Sequence, residues 1–392
     1  MPRSPLRSLG FGIAFATVLS GAASAQIMIV GNDQKQTWDA ENKPVLNPPG
    51  HDTLSVIDMS KPAAIRIIAT IPLDNTIVGP PTNLAITPDR SLALVANSVN
   101  EVEKDGKPTI VSDDRMFVID LKANPPKVVA TVNLGKRPSG MAIAPSGRLA
   151  LVTNRDEGTI SVLTINGNEV KVVDTVTVGD PKDSVSAVAI TPDGKRALAT
   201  RPAANKIALL AIDGDKVTYD KKDVAVGVFP YNVAITPNGK LALTADNGNG
   251  GSSDGNVDSV SVIDLEANPV RVIDHVTVGD SPEGLAISPK GNLAVTVDAR
   301  GSNQPKNSWF YHPGGAVTVL QIDGKKVTRV GEVTVGGLPE GAVFSADGSY
   351  LYVGNFMTKD LSVLKVNGTR ISDTGKRFQL PGQPASMRGG PQ

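Results

Sequence analysis

The chain has no cysteine, only 4% aromatic residues and no excess of charge of either sign. Each shortage removes a class of function. Without thiols there are no disulfides, no thiolate metal site, no covalent haem attachment and no lipidated N-terminal Cys. Stability must then come from core burial alone. Lys and Arg number 39 against 39 Asp and Glu, a balance that gives no electrostatic basis for nucleic-acid binding. No phosphate-loop motif is present. Long helical periodicity is missing after residue 25, and no segment reaches the roughly 18 apolar residues of a membrane span.

What is present is Gly (39 residues) and Pro (29 residues), set among Val, Thr and Ile. That mixture points to many short strands joined by tight turns. Residues 1–25 read as a secretory signal: Arg3 and Arg7, an apolar stretch over residues 9–19, and the small-residue pattern Ala23-Ser-Ala25. The expected mature chain is one domain, residues 26–392, starting at Gln26. Loss of the two arginines leaves 37 basic against 39 acidic residues, a charge near −2. A periplasmic or secreted soluble protein is expected.

A repeat runs through the mature chain. Its clearest copy opens with Pro138-Ser-Gly-Met-Ala-Ile-Ala-Pro, strand A, and turns at Pro145-Ser-Gly147, where Gly supplies the positive φ that ends the turn. Strand B is Arg148-Leu-Ala-Leu-Val-Thr-Asn154. Strand C, Thr159-Ile-Ser-Val-Leu-Thr-Ile165, alternates with period two. Asn166-Gly167 signals a hairpin into strand D, which starts at Val170 and ends before Gly179. Strand A recurs at Ile86, Ile143, Ile190, Ile235, Ile287 and Phe344, with gaps of 45 to 57 residues, and a degenerate seventh copy starts at Pro384. Strand C recurs from Leu54, Met116, Ile160, Ile207, Val260, Val317 and Leu361. Seven copies of four short antiparallel strands predict an all-β fold, a seven-bladed β-propeller. The last unit, counted from strand C at Leu361 through strand D near Phe378 to Pro384, has no strand B. Residues 27–32, Ile-Met-Ile-Val-Gly-Asn, are a strand B with no strand A before it, and echo Tyr352-Val-Gly-Asn355. Pairing the two closes the ring and removes an open edge.

The run from Pro138 to Asn154, followed by strands such as Val260-Ser-Val-Ile-Asp264, resembles the YVTN-type β-propeller family, named for the motif seen here as Leu151-Val-Thr-Asn154. The resemblance covers residues 27–389. Hairpins such as Ile212-Asp-Gly214 and Ile322-Asp-Gly324 are similar to those of the seven-bladed lactonase group. Blade 3 departs from the pattern, with Val185 where Pro is usual and Leu198-Ala-Thr-Arg201 ending in Arg. The resemblance implies that strand A lines a central channel and that the D–A and B–C connections share one face, the top. The residue after the strand-A proline would then ring the channel mouth: Thr82, Ser139, Ser186, Tyr231, Glu283, Glu340 and Ala385. A second ring, further out, is formed by the residues closing strand B: Asn32, Asn97, Asn154, Arg201, Asp246, Asp298 and Asn355. Asn and Asp there suit turn capping; Arg201 does not fit that role.

The longer repeats carry insertions between strands B and C, at residues 33–51, 98–114, 247–258 and 299–315. Long loops gathered on one face of a rigid scaffold are where function resides. Trp38, Trp309, His51 and His312 all fall within them, and Ser308-Trp-Phe-Tyr-His312 is the most distinctive run of the chain. It reads either as a wall over the channel mouth or as a loop anchored by its own apolar cluster. Glu283 and Glu340 hold equivalent positions in neighbouring blades and should approach each other. With His312 they are the candidate catalytic acid and base, or, as a carboxylate pair, ligands for a divalent cation. Arg201, Tyr231, Asp298, Trp309, Tyr311, His51 and Trp38 are the candidate ligand contacts. His275 reads as a surface residue, and the stretch from Asp246 to Asp258 as a mobile Gly/Ser/Asp loop.

Two functions compete. The first is a binding or scaffold propeller that takes a small molecule or a periplasmic protein on its top face. The second, implied by the lactonase likeness, is a hydrolase in which a carboxylate-held metal or a histidine base activates water. A haem-holding role, met among relatives of the fold, has no covalent haem motif here. Neither nucleic acid nor membrane is an expected partner, and a monomer is expected.

Overall fold

A computed structural model of the chain describes Met1, residues 26–48 and residues 50–390. Most of the segment read as a signal, from residue 2 to residue 25, lies outside the described residues. Seven four-stranded antiparallel sheets form, each with strand order A-B-C-D, and two insertions add two-stranded hairpins of their own. The fold is a seven-bladed β-propeller. In blade 2 the strands are Pro138–Ile143, Leu149–Asn154, Thr159–Asn166 and Glu169–Thr177. The Pro-x-Gly turns form as read, with Gly147 at φ +72°. Among the described residues no helix is long and apolar enough to cross a membrane.

The core lies between blades rather than within them, because successive side chains of a strand point to opposite faces of its sheet. In blade 7, Ile27 and Ile29 pack with Phe117 and Ile119 of blade 1. Met28 and Val30 face the other way, onto Tyr352 and Val363 of blade 6. Each blade is thus glued to both neighbours by period-two alternation.

Blade 7 is where the chain closes on itself. Strand B is Ile27–Asp33, and it pairs antiparallel with strand A, Gln383–Gly389, with Met28 opposite Gly389 and Ile29 opposite Arg388. Strand A is therefore full length, where the sequence shows only a start at Pro384. Strands Asp360–Asn367 and Arg370–Gln379 belong to the sheet of blade 6, so the last sequence unit is split between two sheets, and strand D is longer than the segment read near Phe378. Gly31 is required at the closure: a Cβ there would lie 2.4 Å from Asn75 Nδ2 and 2.7 Å from Ser386 Oγ. Tyr352, fully buried in blade 6, donates its hydroxyl to the Pro62 carbonyl of blade 7 at 2.7 Å, a further stitch across the seam.

Ile27, Met28, Ile29 and Val30 are all buried. At about 1.5–3 kcal/mol for each apolar side chain, their burial amounts to roughly 6–12 kcal/mol, comparable to the whole stability of a typical domain. Deletion of residues 26–33 is expected to lower the melting temperature by more than about 10 °C or to abolish cooperative unfolding. Calorimetry that gave the wild-type melt would contradict the seam.

Candidate functional site

The outer ring is a repeated polar lock. Asn154 Nδ2 donates to Thr159 Oγ1 and Ser161 Oγ, both at 3.0 Å. Asn355 makes the same pair of bonds to Asp360 and Ser362, and Asn32 makes them to Thr53 and Ser55. Asp246 accepts from Ser259 and Ser261, and Asp298 accepts from Thr318 at 2.6 Å. The partner is the hydroxyl at the third position of strand C. Blades 1 and 3 lack it, carrying Phe117 and Ala208 there. In blade 1 Asn97 turns to Asp113, itself held by Arg115. In blade 3 the Asn is replaced by Arg201, whose guanidinium pairs with Asp183 at 2.7 Å and Asp223 at 2.6 Å. Arg201 and Asp298, read from sequence as ligand contacts, are thus placed in the lock between strands. Arg201 occurs in a blade that carries Ala208 at the partner position.

The inner ring is buried. Thr82, Ser139, Ser186, Tyr231, Glu283, Glu340 and Ala385 are all largely or wholly shielded, with Glu283 8% and Glu340 3% exposed. They do not ring an open mouth; they close the top of the channel, and the cavity below them begins one layer down, at Met141, Asn232 and Met387. The sequence alignment of Glu283 with Glu340 does bring the two carboxyls together. Their inner strands approach so closely that a Cβ on Gly284 would sit 2.2 Å from the Glu340 carbonyl oxygen.

Burial dominates the acidity of this pair. It pushes Glu283 up to about 7, against the stabilising effects of Asn247, Arg155 and Ser281. Burial and the charge of Glu283 together push Glu340 well above the usual carboxylate range. The pair therefore holds on to protons to a higher pH than ordinary carboxyls do. Tyr231 is likewise raised by burial. Arg155, which directly follows the lock residue of blade 2, stands over this cluster. Its guanidinium lies 5.9 Å from the Tyr231 ring centroid and donates to Ser184 Oγ at 3.1 and 3.2 Å. Sequence reasoning missed Arg155, although the position after each strand-B lock was available as a signal. The same position supplies Asn247, which donates to Ser281 Oγ and the Pro282 carbonyl, and Phe356.

On the arc that runs from blade 7, next to Glu340, through blades 1 and 2, buried polar atoms stand without a partner among the described residues. They are Ser386 Oγ, Thr82 Oγ1, Asn83 Oδ1, Asn75 Nδ2 and Ser139 Oγ. An unpaired buried polar group costs about 1–3 kcal/mol, so this arc is unsatisfied by the protein itself.

The insertions take paths that the repeat does not specify. His312 is exposed, its Nδ1 against the Arg300 and Phe310 carbonyls at 3.2 and 3.0 Å. It lies between the blade 4 loop at Gly255 and the outer-strand residues Arg329 and Glu332 of blade 5. The expected trio of Glu283, Glu340 and His312 is therefore not assembled, and no group of three or more His, Cys, Asp or Glu placed to hold a metal occurs among the described residues. Trp309 is 80% exposed and stacks edge-on with Phe310 at 5.3 Å; Tyr311 and His51 also lie outside the ring, Tyr311 with its N–H on the Ser308 carbonyl, His51 exposed with its carbonyl accepting from Gln34. The aromatic run lies away from the channel, beside Gly255 of the blade 4 loop.

Trp38 does reach the top of the channel. It packs edge-on against Phe356 at 5.5 Å, in a cluster with Leu338, Ala299 and the ring residue Ala385. Its hairpin, Gln36–Trp38 with Pro44–Leu46, is tied to blade 5 by Asn42 Nδ2, which donates to the Ser302 and Gln304 carbonyls at 3.1 Å each. The base of the hairpin is pinned by buried Lys35, bonded to Asp52 and the Asn75 carbonyl. The stretch from Asp246 to Asp258 is also held, by Asn247 Oδ1 on the Gly251 N–H and by Asp280 on the Asp254 and Gly255 N–H groups. His275 is exposed, as read.

No family model matches the chain, and no curated protein matches it. Solved structures do. A candidate 6-phosphogluconolactonase from Bacteroides uniformis aligns over 93% of this chain and 99% of its own, at 16% identity and a TM-score of 0.70. The periplasmic gluconolactonase of Pseudomonas aeruginosa aligns over 94% and 99%, at 18% identity and 0.65. The dihydro-heme d1 dehydrogenase NirN aligns over 91% of this chain and 63% of its own, at 16% identity and 0.57. The shared feature is the seven-bladed fold.

Two outcomes follow from the locks and the buried acids. Asn154→Ala and Asn355→Ala each strip two hydrogen bonds and leave a buried hydroxyl unpaired, so each should destabilise by about 1–3 kcal/mol in denaturant titration; an unchanged midpoint would remove the lock. Asp33 and Asp298 are raised to about 6, and Asp258 and Glu283 to about 7, burial being the largest cause for each. A raised folded-state pKa means that the folded chain holds the proton more tightly. Its stabilisation is complete below the unfolded value and fades as pH rises through the folded one. The melting temperature should therefore fall as pH rises from about 4 to about 7, with Glu283→Gln flattening the upper part of the slope.

Proposed function

We propose that the protein binds a small, hydroxyl-rich molecule at the top of its channel, within the ring closed by Tyr231, Glu283 and Glu340. The observation that carries this reading is the division of the ring into two arcs. One bears the buried carboxyl pair under Arg155, and the other bears the unpartnered groups of Ser386, Thr82 and Ser139. Buried polar groups are kept where something completes their hydrogen bonds. A polyol or sugar acid offers donors to Glu283 and acceptors to the hydroxyls at once. Entry requires the Trp38 hairpin to lift. The N-terminal sequence and the absence of cysteine support placing this activity in the periplasm or outside the cell.

Lactone hydrolysis is the second reading, favoured by the proton inventory of the pair. Glu283, ionised above about 7, would take a proton from a water attacking the lactone carbonyl. The ring oxygen released as the acyl C–O bond breaks would take the proton of Glu340. Both residues end with their roles exchanged, and a proton returned through solvent restores them. The names of the lactonase neighbours support the substrate class.

Calorimetry with gluconate and related polyols, alongside turnover of glucono-δ-lactone, tests both readings. Binding that weakens at least about tenfold in Glu283→Gln and Tyr231→Phe supports the first. Turnover that rises through about pH 7 and vanishes in Glu283→Gln raises the second above it. Binding unaffected by either substitution would overturn the assignment of the site.

A further inference from the structure

Below the closed ring, the channel is a different environment. A cavity of about 360 Å³ runs down the axis, walled by Met141, Val188, Ile235, Ile287, Val343 and their neighbours, and reaches the level of the A–B turns at Pro237 and Gly390. Its volume lies in the range of small-molecule sites. The side chains of the wall are apolar apart from Asn232 and one charged group, Arg388, and backbone polar groups lie between them. Asn232 is spent: its Nδ2 donates to the Glu283 carbonyl and its Oδ1 accepts from Val233.

Arg388 is not spent. It comes from the closing strand of blade 7, opposite Ile29, and its Nε donates to the Leu84 carbonyl of blade 1 at 3.3 Å. That is its one polar bond, and no carboxylate pairs with it among the described residues. A guanidinium carries five N–H donors in a planar fork, so the two terminal nitrogens keep theirs. Arg388 retains accessible surface, and that surface lines the cavity. Burial alone pushes it below its ordinary pKa, with no neighbouring acid acting against it.

An unpaired cation withdrawn from bulk water among apolar side chains is costly, and structures keep one where a counter-charge arrives from elsewhere. We propose that the lower channel binds an amphipathic carboxylate, a medium-chain fatty acid anion or one of similar build, whose headgroup takes the fork of Arg388 while its apolar body lies against the Ile and Val wall. The guanidinium matches a carboxylate with two parallel hydrogen bonds. This site is separate from the ring above it and does not depend on what the ring binds.

Titration calorimetry of the full chain with decanoate, decanol and decyltrimethylammonium tests the proposal. Decanoate should bind best, decanol more weakly, and the cation not at all. Arg388→Met, which fills the same space without charge, should weaken decanoate at least about tenfold and leave decanol unchanged, with a melting temperature no lower than wild type. Ala234→Trp, which fills the cavity, should abolish both; its own melt shows whether it is folded. Equal decanoate affinity in wild type and Arg388→Met, or no decanoate binding by the wild type, would overturn the proposal.

Discussion

Everything in this molecule depends on a ring of sheets having no free end. Each blade buries one face on the blade before it and one on the blade after it, so an unclosed ring would leave two apolar faces and one row of backbone N–H and C=O groups in water. The pairing of Ile27–Asp33 with Gln383–Gly389 is what prevents this. The seam is held in three independent ways: by the ladder itself, by the opposed packing of Ile27, Ile29, Met28 and Val30, and by the Tyr352 hydroxyl on Pro62. Closure by one strand from the far end of the chain joins residues 350 or more positions apart, so the largest loop-closure entropy is met at the seam, while the strands of blades 1 to 6 pack on successive blades close in sequence.

On this closed frame the top face is built in concentric shells. The outer shell ties strand B to strand C through Asn or Asp and a hydroxyl, and where the hydroxyl is lost the blade substitutes ions, as at Arg201 with Asp183 and Asp223. The inner shell brings Tyr231, Glu283 and Glu340 into a space too dry for two carboxylates, and so sets their protons. The Trp38 hairpin and the Ser302 loop close over the top. Buried acids held against their charge thus occur both at the centre, in Glu283 and Glu340, and in the outer shell, in Asp298.

The blades were legible because local chemistry and the global fold agree at every repeat. Pro-x-Gly turns, period-two strands and Asn-Gly hairpins each point to the same four-stranded unit. The approach of Glu283 to Glu340 was legible for the same reason, since equivalent positions in adjacent blades must be neighbours. His312 was misjudged because an insertion answers to contacts outside the repeat; its course is set by the Arg300 and Phe310 carbonyls and the blade 4 loop. Arg201 could have been read correctly by noticing Ala208, seven residues on, in place of the usual hydroxyl. Arg388 was out of reach, because strand A of blade 7 ends the chain without the turn that marks the other six, and so gave no register by which to place its side chains.

The direction of the two closing strands carries one more consequence. Strand A runs from the top face downward and strand B runs upward from below, so Gly390 and Ile27 meet at the lower rim, where the Gly390 N–H donates to the Ile27 carbonyl at 2.8 Å. Gly390 and Ile27 therefore lie side by side next to the lower opening of the channel. Anything joined directly at Ile27 or Gly390 would grip the propeller from beneath and leave its loop-bearing face free. The same attachment would stand at the door of the lower cavity. Strand direction alone thus separates the seam's open end from the loop-bearing face.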